Sequence, residues 1–138
     1  QQPAESLGRL PADTTGNLVD WIEAIDSGAI QPRATRRKDG TSVETRDTNV
    51  LMRGTGSAAY VLFPHAPHTE WLDCQNCHSD MFAKKAGATR FSMLDILQGR
   101  YCGRCHGAVS FPLTECRRCH NVSPSTEKPI RFCPQALP

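Results

Sequence analysis

Long hydrophobic runs are missing from this chain: the longest apolar stretch, Ala58 to Phe63, falls far short of the 18 or more residues of a membrane-spanning helix. Aromatic residues are also scarce, at 7%. Mean hydropathy is −0.45, and ten glycines and ten prolines interrupt the 138 residues, which is one domain's length of chain. That composition supplies little for a side-chain core. The first 57 residues contain neither cysteine nor histidine, so any thiol or imidazole chemistry lies beyond them. Charge of one sign is absent too, with 16 basic against 14 acidic residues; a basic field for nucleic acid is excluded. No nucleophile with its base and no phosphate-binding loop can be read, which argues against a conventional enzyme.

What the chain does have is concentrated. Cys-x-x-Cys-His occurs three times within 47 residues, as Cys74-Gln-Asn-Cys77-His78, Cys102-Gly-Arg-Cys105-His106 and Cys116-Arg-Arg-Cys119-His120. This is the attachment signature of c-type haem. Two thiols add across the two vinyl groups of one porphyrin, and the adjoining imidazole falls beneath the iron as proximal ligand. Three covalent haems are therefore expected, on Cys74 and Cys77, Cys102 and Cys105, and Cys116 and Cys119. Seven cysteines and five histidines would also fill three tetrahedral zinc sites, but zinc modules rarely set His directly after the second Cys of each pair. A disulfide framework fits less well, because seven is odd and cysteines three apart within one motif are poorly placed to bridge.

Three large apolar macrocycles replace the missing core, so the expected fold is a small multihaem cytochrome: short helices, a short β segment and long ordered loops packed around haems. Two propionates per haem against a ferric core of +1 bring the formal +2 of the polypeptide to roughly −1 oxidised and about −4 reduced. Such proteins acquire haem outside the cytoplasm. Export is accordingly expected, with Gln1 following a removed leader and the protein residing in the periplasm or at the surface of a prokaryote.

Three zones divide the chain. Residues 1–57 form a haemless arm with one expected helix, on which Leu18, Trp21, Ile22 and Ile25 share a face, Asn17 is the N-cap, and Gly28 ends the run. Asp20, Glu23 and Asp26 make its other face acidic. That helix packs on its own domain or docks on another subunit. The basic run Arg33, Arg36, Arg37 and Lys38 is a solvated face or a partner of haem propionates, and Asp39-Gly40 predicts a tight turn, with a hairpin to Thr41-Ser42-Val43. Residues 58–121 carry the chemistry, opening with the β-prone Tyr60 to Phe63 and then Pro64-His65-Ala66-Pro67-His68. Three irons already own His78, His106 and His120; His65 and His68 are the remaining imidazoles for sixth positions. Residues 122–138 are a Pro-rich tail.

The stretch from Phe63-Pro-His65-x-x-His68 through the three motifs resembles the triheme c7-type cytochromes, short relatives of the class III cytochromes c3. The likeness is greatest to the branch whose middle reads like Met93-Leu-Asp-Ile-Leu-Gln-Gly-Arg-Tyr-Cys-Gly-Arg-Cys-His106, and it covers about residues 60–121. The resemblance implies that His65 stands opposite His78 and that His68 stands opposite His106. All-histidine members carry a distal His four residues before the second motif; here that position is Gln98. The haem on Cys116 and Cys119, with proximal His120, thus lacks a sixth histidine. Met93 is the first choice for that place, with Met81, Met52, Cys133, a neighbouring molecule's residue or an open iron as alternatives.

The implied function is electron transfer by hopping between haems held at motif intervals of 28 and 14 residues, in a respiratory or extracellular chain. Redox proteins or copies of the chain itself are the expected partners, with arm and tail free to build an oligomer, a filament or a larger complex. The alternative is a haem enzyme or sensor whose open third iron binds nitrite, nitric oxide or peroxide. The mature protein is expected to carry three haems through the six motif cysteines, visible as three haem increments in the intact mass. A bare polypeptide mass, or bound zinc with no Soret absorption, would contradict this.

Overall fold

The computed structural model describes residue 5, residues 7–31 and residues 44–131. The basic run, the Asp39-Gly40 turn with its hairpin, and Cys133 lie outside the described residues. In chain order the elements are α1 (Trp21–Asp26), β1 (Asn49–Met52), β2 (Tyr60–Pro64), α2 (His65–Thr69), α3 (Cys74–His78), α4 (Met93–Leu97), a 3-10 turn (Tyr101–Arg104), α5 (Cys116–Cys119) and β3 (His120–Val122). None exceeds six residues. Turns and loops connect them, which is the sparse architecture the composition predicts.

One antiparallel sheet, ordered β1-β2-β3, organises the haem segment. β1 pairs with β2 in the register Asn49 to Pro64 through Met52 to Val61, and β2 pairs with β3 as Tyr60 to Val122 and Val61 to His120, with an irregularity between. The β-prone run at 60–63 is therefore the central strand. Residues 49–52, which the sequence groups with the haemless arm, are an edge strand of this sheet. Because α2 follows β2 without a gap and β3 begins at the histidine of the third motif, the sheet joins the His65/His68 turn to His120.

The helix of the N-terminal segment is present but starts later than expected. Asp20 rather than Asn17 is its N-cap, accepting from the N–H groups of Ile22 (3.1 Å) and Glu23 (2.9 Å). Leu18 lies outside the helix at φ 59° with its side chain exposed. Asn17 instead accepts from the Trp21 indole N–H at 3.1 Å. Both Asn17 and Asp20 are good capping residues; the two loop bonds that the Thr15 hydroxyl makes with the Val19 backbone favour the later start. Gly28 ends the helix at φ 73°, as its sequence position implies.

This segment packs on its own chain. Trp21 meets Trp71 edge-on at 5.7 Å between ring centroids, and Val19 and Ala24 are buried. The Thr14 hydroxyl donates to Glu115 at 2.7 Å, and Arg118 forms a two-pronged ion pair with Asp13. Among the described residues, Val19, Ala24 and Val122 are the buried hydrophobic side chains. Three small side chains cannot centre a domain of this length.

Two local devices shape the approach to the second motif. α4 opens with a capping box in which Ser92 and Asp95 satisfy each other's backbone N–H, and it ends on Gly99 at φ 86°. Tyr101 then adopts φ 51°, which costs a non-glycine residue about 1–2 kcal/mol. Its ring is held by stacking on Phe91 at 4.9 Å and by Phe82 at 5.5 Å. Two residues on, Gly103 passes so close to α4 that a Cβ would overlap the Ile96 carbonyl. Gly103→Ala is expected to destabilise the holo-protein by about 1–3 kcal/mol, read as a lowered melting temperature. Unchanged melting would show that α4 and the 3-10 turn are not in close contact.

Candidate haem site

The short α2 places His65 and His68 three residues apart, one helical turn. Pro67 is tolerated between them because the first-turn N–H groups of a helix have no intrahelical acceptor. Thr69, nearly buried, anchors the turn by accepting from the Arg46 N–H at 2.9 Å and donating to the His65 carbonyl at 2.9 Å. Phe63 fills the angle between the two imidazoles, with centroids 5.0 Å from His65 and 4.4 Å from His68.

All five histidines share one hydrogen-bonding pattern. The Nδ1 of His65 lies 2.7 Å from the Thr48 carbonyl, that of His68 2.7 Å from Pro64, and that of His78 2.7 Å from Phe82. The Nδ1 of His106 lies 3.2 Å from the Phe111 carbonyl, and that of His120 2.7 Å from Ala59. A carbonyl oxygen can only accept, so each Nδ1 carries the proton. Each Nε2 keeps its lone pair for a metal, and the ring is held in one orientation. Burial, the larger cause, also pushes His68 and His106 below the ordinary histidine pKa, which keeps the imidazoles in the neutral form that iron binds.

His68 and His106 are neighbours, in an edge-type pair with ring centroids 6.3 Å apart and planes at 60°. Two metal–imidazole bonds of about 2 Å each, plus the half-widths of the rings, account for about 6 Å. The separation fits an iron held between two imidazoles. Phe111 supports His106 at 4.3 Å between centroids.

The six motif cysteines are free thiols, half-buried except for the exposed Cys116. Burial is the main cause that pushes Cys102 up to about 11 and raises Cys77 and Cys119; thiols of other motifs add to it at Cys102 and Cys77, and Cys116 of the same motif at Cys119. Arg104 of the second motif reaches Asp80 beside the first, at 3.6 Å. These raised values leave protonated thiols at neutral pH, unlike the activated thiolate of a cysteine enzyme. Among the described residues no group of three or more His, Cys, Asp or Glu side chains converges as a metal site. An open cleft of about 430 Å³ lies against the first motif, lined by His78, Met81, Phe82 and Tyr101 among others. Donor types, free Nε2 positions and this room suit a covalently attached porphyrin.

The remaining methionines and Gln98 are distributed as follows. Met93 is the first residue of α4 and is 43% exposed to solvent. Met81 borders the cleft beside His78, and Met52 is on β1, in register with Val61 and, through it, with His120. Gln98 is exposed at the C-cap of α4. Phe63, Phe111 and Gly103 were not legible as site residues, since each acts through packing rather than through its own chemistry.

The family model described as cytochrome c7 and related cytochrome c matches residues 61–121. A solved c7-type three-heme cytochrome domain is 36% identical, with 58% of this chain and 99% of that domain covered and a TM-score of 0.46. A solved C-terminal hexaheme fragment is 38% identical, covering 56% of this chain, at a TM-score of 0.49. This chain spans about half of that fragment, 49% of its length. No curated protein matches. Essentially a whole three-heme domain is thus represented here at 36% identity, and with the three attachment motifs in place the chain belongs to the cytochrome c7 family of electron-carrying c-type cytochromes.

Proposed function

We propose that this protein carries three covalent c-type haems and passes electrons among them as a one-electron carrier. The observation that bears most weight is the common presentation of five imidazoles: every Nδ1 is occupied by a backbone carbonyl, no Nε2 has a partner among the described residues, and the rings of His68 and His106 stand 6.3 Å apart. Cys74 and Cys77, Cys102 and Cys105, and Cys116 and Cys119 hold the groups, with His78, His106 and His120 as proximal ligands. His65 completes the first site and His68 the second. Bound haem supplies exchange between ferric and ferrous iron. The chain's part is to fix the imidazoles, keep those of His68 and His106 neutral, and exclude water with Phe63, Phe111 and the Phe82–Phe91–Tyr101 cluster.

Met93 completes the third site in this reading. It is the thioether five residues upstream of Gln98, where an imidazole would otherwise stand, and it is an exposed residue at the start of α4. A thioether in place of imidazole raises the potential, so Met93 at this position would make the third site the one of highest potential. The protein works outside the cytoplasm, where haem is attached, between redox proteins or copies of itself in a respiratory or extracellular chain. Folding of the N-terminal segment onto its own haem domain supports partner contacts through other surfaces.

His65→Ala and His68→Ala are each expected to convert one haem of three from low-spin to high-spin, with the intact mass still showing full attachment. Retention of three unaltered low-spin haems in both variants would contradict the ligand set. In the oxidised parent, a weak methionine-to-iron charge-transfer band at the red end of the visible spectrum is expected, and Met93→Ala should abolish it and open one iron to carbon monoxide after reduction. A band that persists would place Met81 or Met52 on the iron. A parent with no band that binds nitric oxide or nitrite at one iron would favour a haem enzyme or sensor.

A further inference from the structure

We propose that Asp13, acting through Arg118, sets the reduction potential of the haem bound by His106; the inference rests on the haem reading above. Arg118 lies between the two cysteines of the third motif, yet its guanidinium carbon sits 3.9 Å from the centroid of Phe111. Phe111 in turn packs on His106 at 4.3 Å and receives the imidazole's Nδ1 proton on its carbonyl. A full positive charge therefore stands one aromatic ring away from an iron ligand. The ring excludes water from that line, while solvent on the guanidinium's exposed side screens part of the charge.

On its other side the guanidinium is gripped by Asp13, from the N-terminal segment 105 residues away, through Nη1–Oδ1 at 2.9 Å and Nη2–Oδ2 at 3.2 Å. This fork is the geometry in which carboxylate and guanidinium match best. Asp13 is 16% exposed and Arg118 38%, so the pair is partly withdrawn from solvent. Glu115 also faces Arg118, but at 3.8 Å, and it shares the Thr14 hydroxyl at 2.7 Å. Asp13 is thus the closer compensating charge. Reduction adds an electron to the iron, and a nearby uncompensated cation favours that state. With Asp13 in place the cation is neutralised; without it the potential rises.

Asp13→Asn removes the charge and nearly keeps the shape. In the holo-protein, a redox titration followed by NMR of the individual haems should show the His106 haem shifted upward more than the others. The expected change is about threefold to tenfold in its one-electron equilibrium after allowing for exposure, tenfold being about 59 mV. Asp13→Glu should restore the parent value, Arg118→Gln should lower it, and the double variant Asp13→Asn with Arg118→Gln should return close to the parent. Thr14→Val, which removes the hydroxyl's contacts with Glu115 (2.7 Å), Asp13 (3.3 Å) and Arg118 (3.4 Å) but changes no charge, should move the potential of the His106 haem far less than Asp13→Asn does. The inference is overturned if Asp13→Asn moves no haem, moves all equally, or moves a different haem most, or if Thr14→Val has the same effect. A parent lacking a low-spin haem at His106 overturns the haem assignment and this inference with it, whereas a complete haem set with an immobile potential overturns only the role of Asp13.

Discussion

The Nδ1–carbonyl hydrogen bond is the interaction on which the site depends, and it is made five times. Each bond converts an imidazole that could rotate and change tautomer into a fixed donor with one lone pair directed outward. The acceptors are the carbonyls of Thr48, Ala59, Pro64, Phe82 and Phe111, drawn from strand ends and loops rather than from helix interiors. A chain with long regular elements would have spent those carbonyls internally. The loop-rich fold is therefore what leaves acceptors free for the ligands, and fixing each loop fixes an imidazole.

Around the imidazoles lies a second layer of aromatic side chains, few in number and concentrated where the ligands are. Phe63 separates His65 from His68, Phe111 backs His106, and Phe82, Phe91 and Tyr101 cluster between the first and second motifs. The left-handed backbone of Tyr101 belongs to the same design, since it turns the chain sharply out of α4 into the second motif. Close passage of Gly103 against Ile96 tightens that turn. Few of the described side chains are buried away from this layer, as expected of a chain in which porphyrin takes the place of leucine and phenylalanine.

Legibility in the sequence follows range. The attachment motifs state their chemistry within five residues, so the cofactor class could be read directly. The β-prone run at 60–63 and the stop at Gly28 are local as well, and both appear in the structure. The start of α1 was displaced because Asn17 and Asp20 are both competent caps, and the choice is made by Thr15 bonding to Val19, which pattern reading does not weigh. The pairing of Asp13 with Arg118, the register of β1 on β2 and the contact between His68 and His106 join residues far apart. They are decided by tertiary packing, and nothing in the local pattern announces them. Ligand pairings came from the likeness to c7-type cytochromes rather than from spacing.

If haem replaces the side-chain core, the polypeptide alone cannot hold this fold. The direct test compares the holo-protein with a haem-free chain in which the six motif cysteines are serine, by amide NMR dispersion and thermal unfolding under identical conditions. The holo-protein should give dispersed resonances and cooperative unfolding, and the haem-free chain collapsed resonances with no cooperative transition. A haem-free chain with native-like dispersion and a transition close to that of the holo-protein would contradict the account.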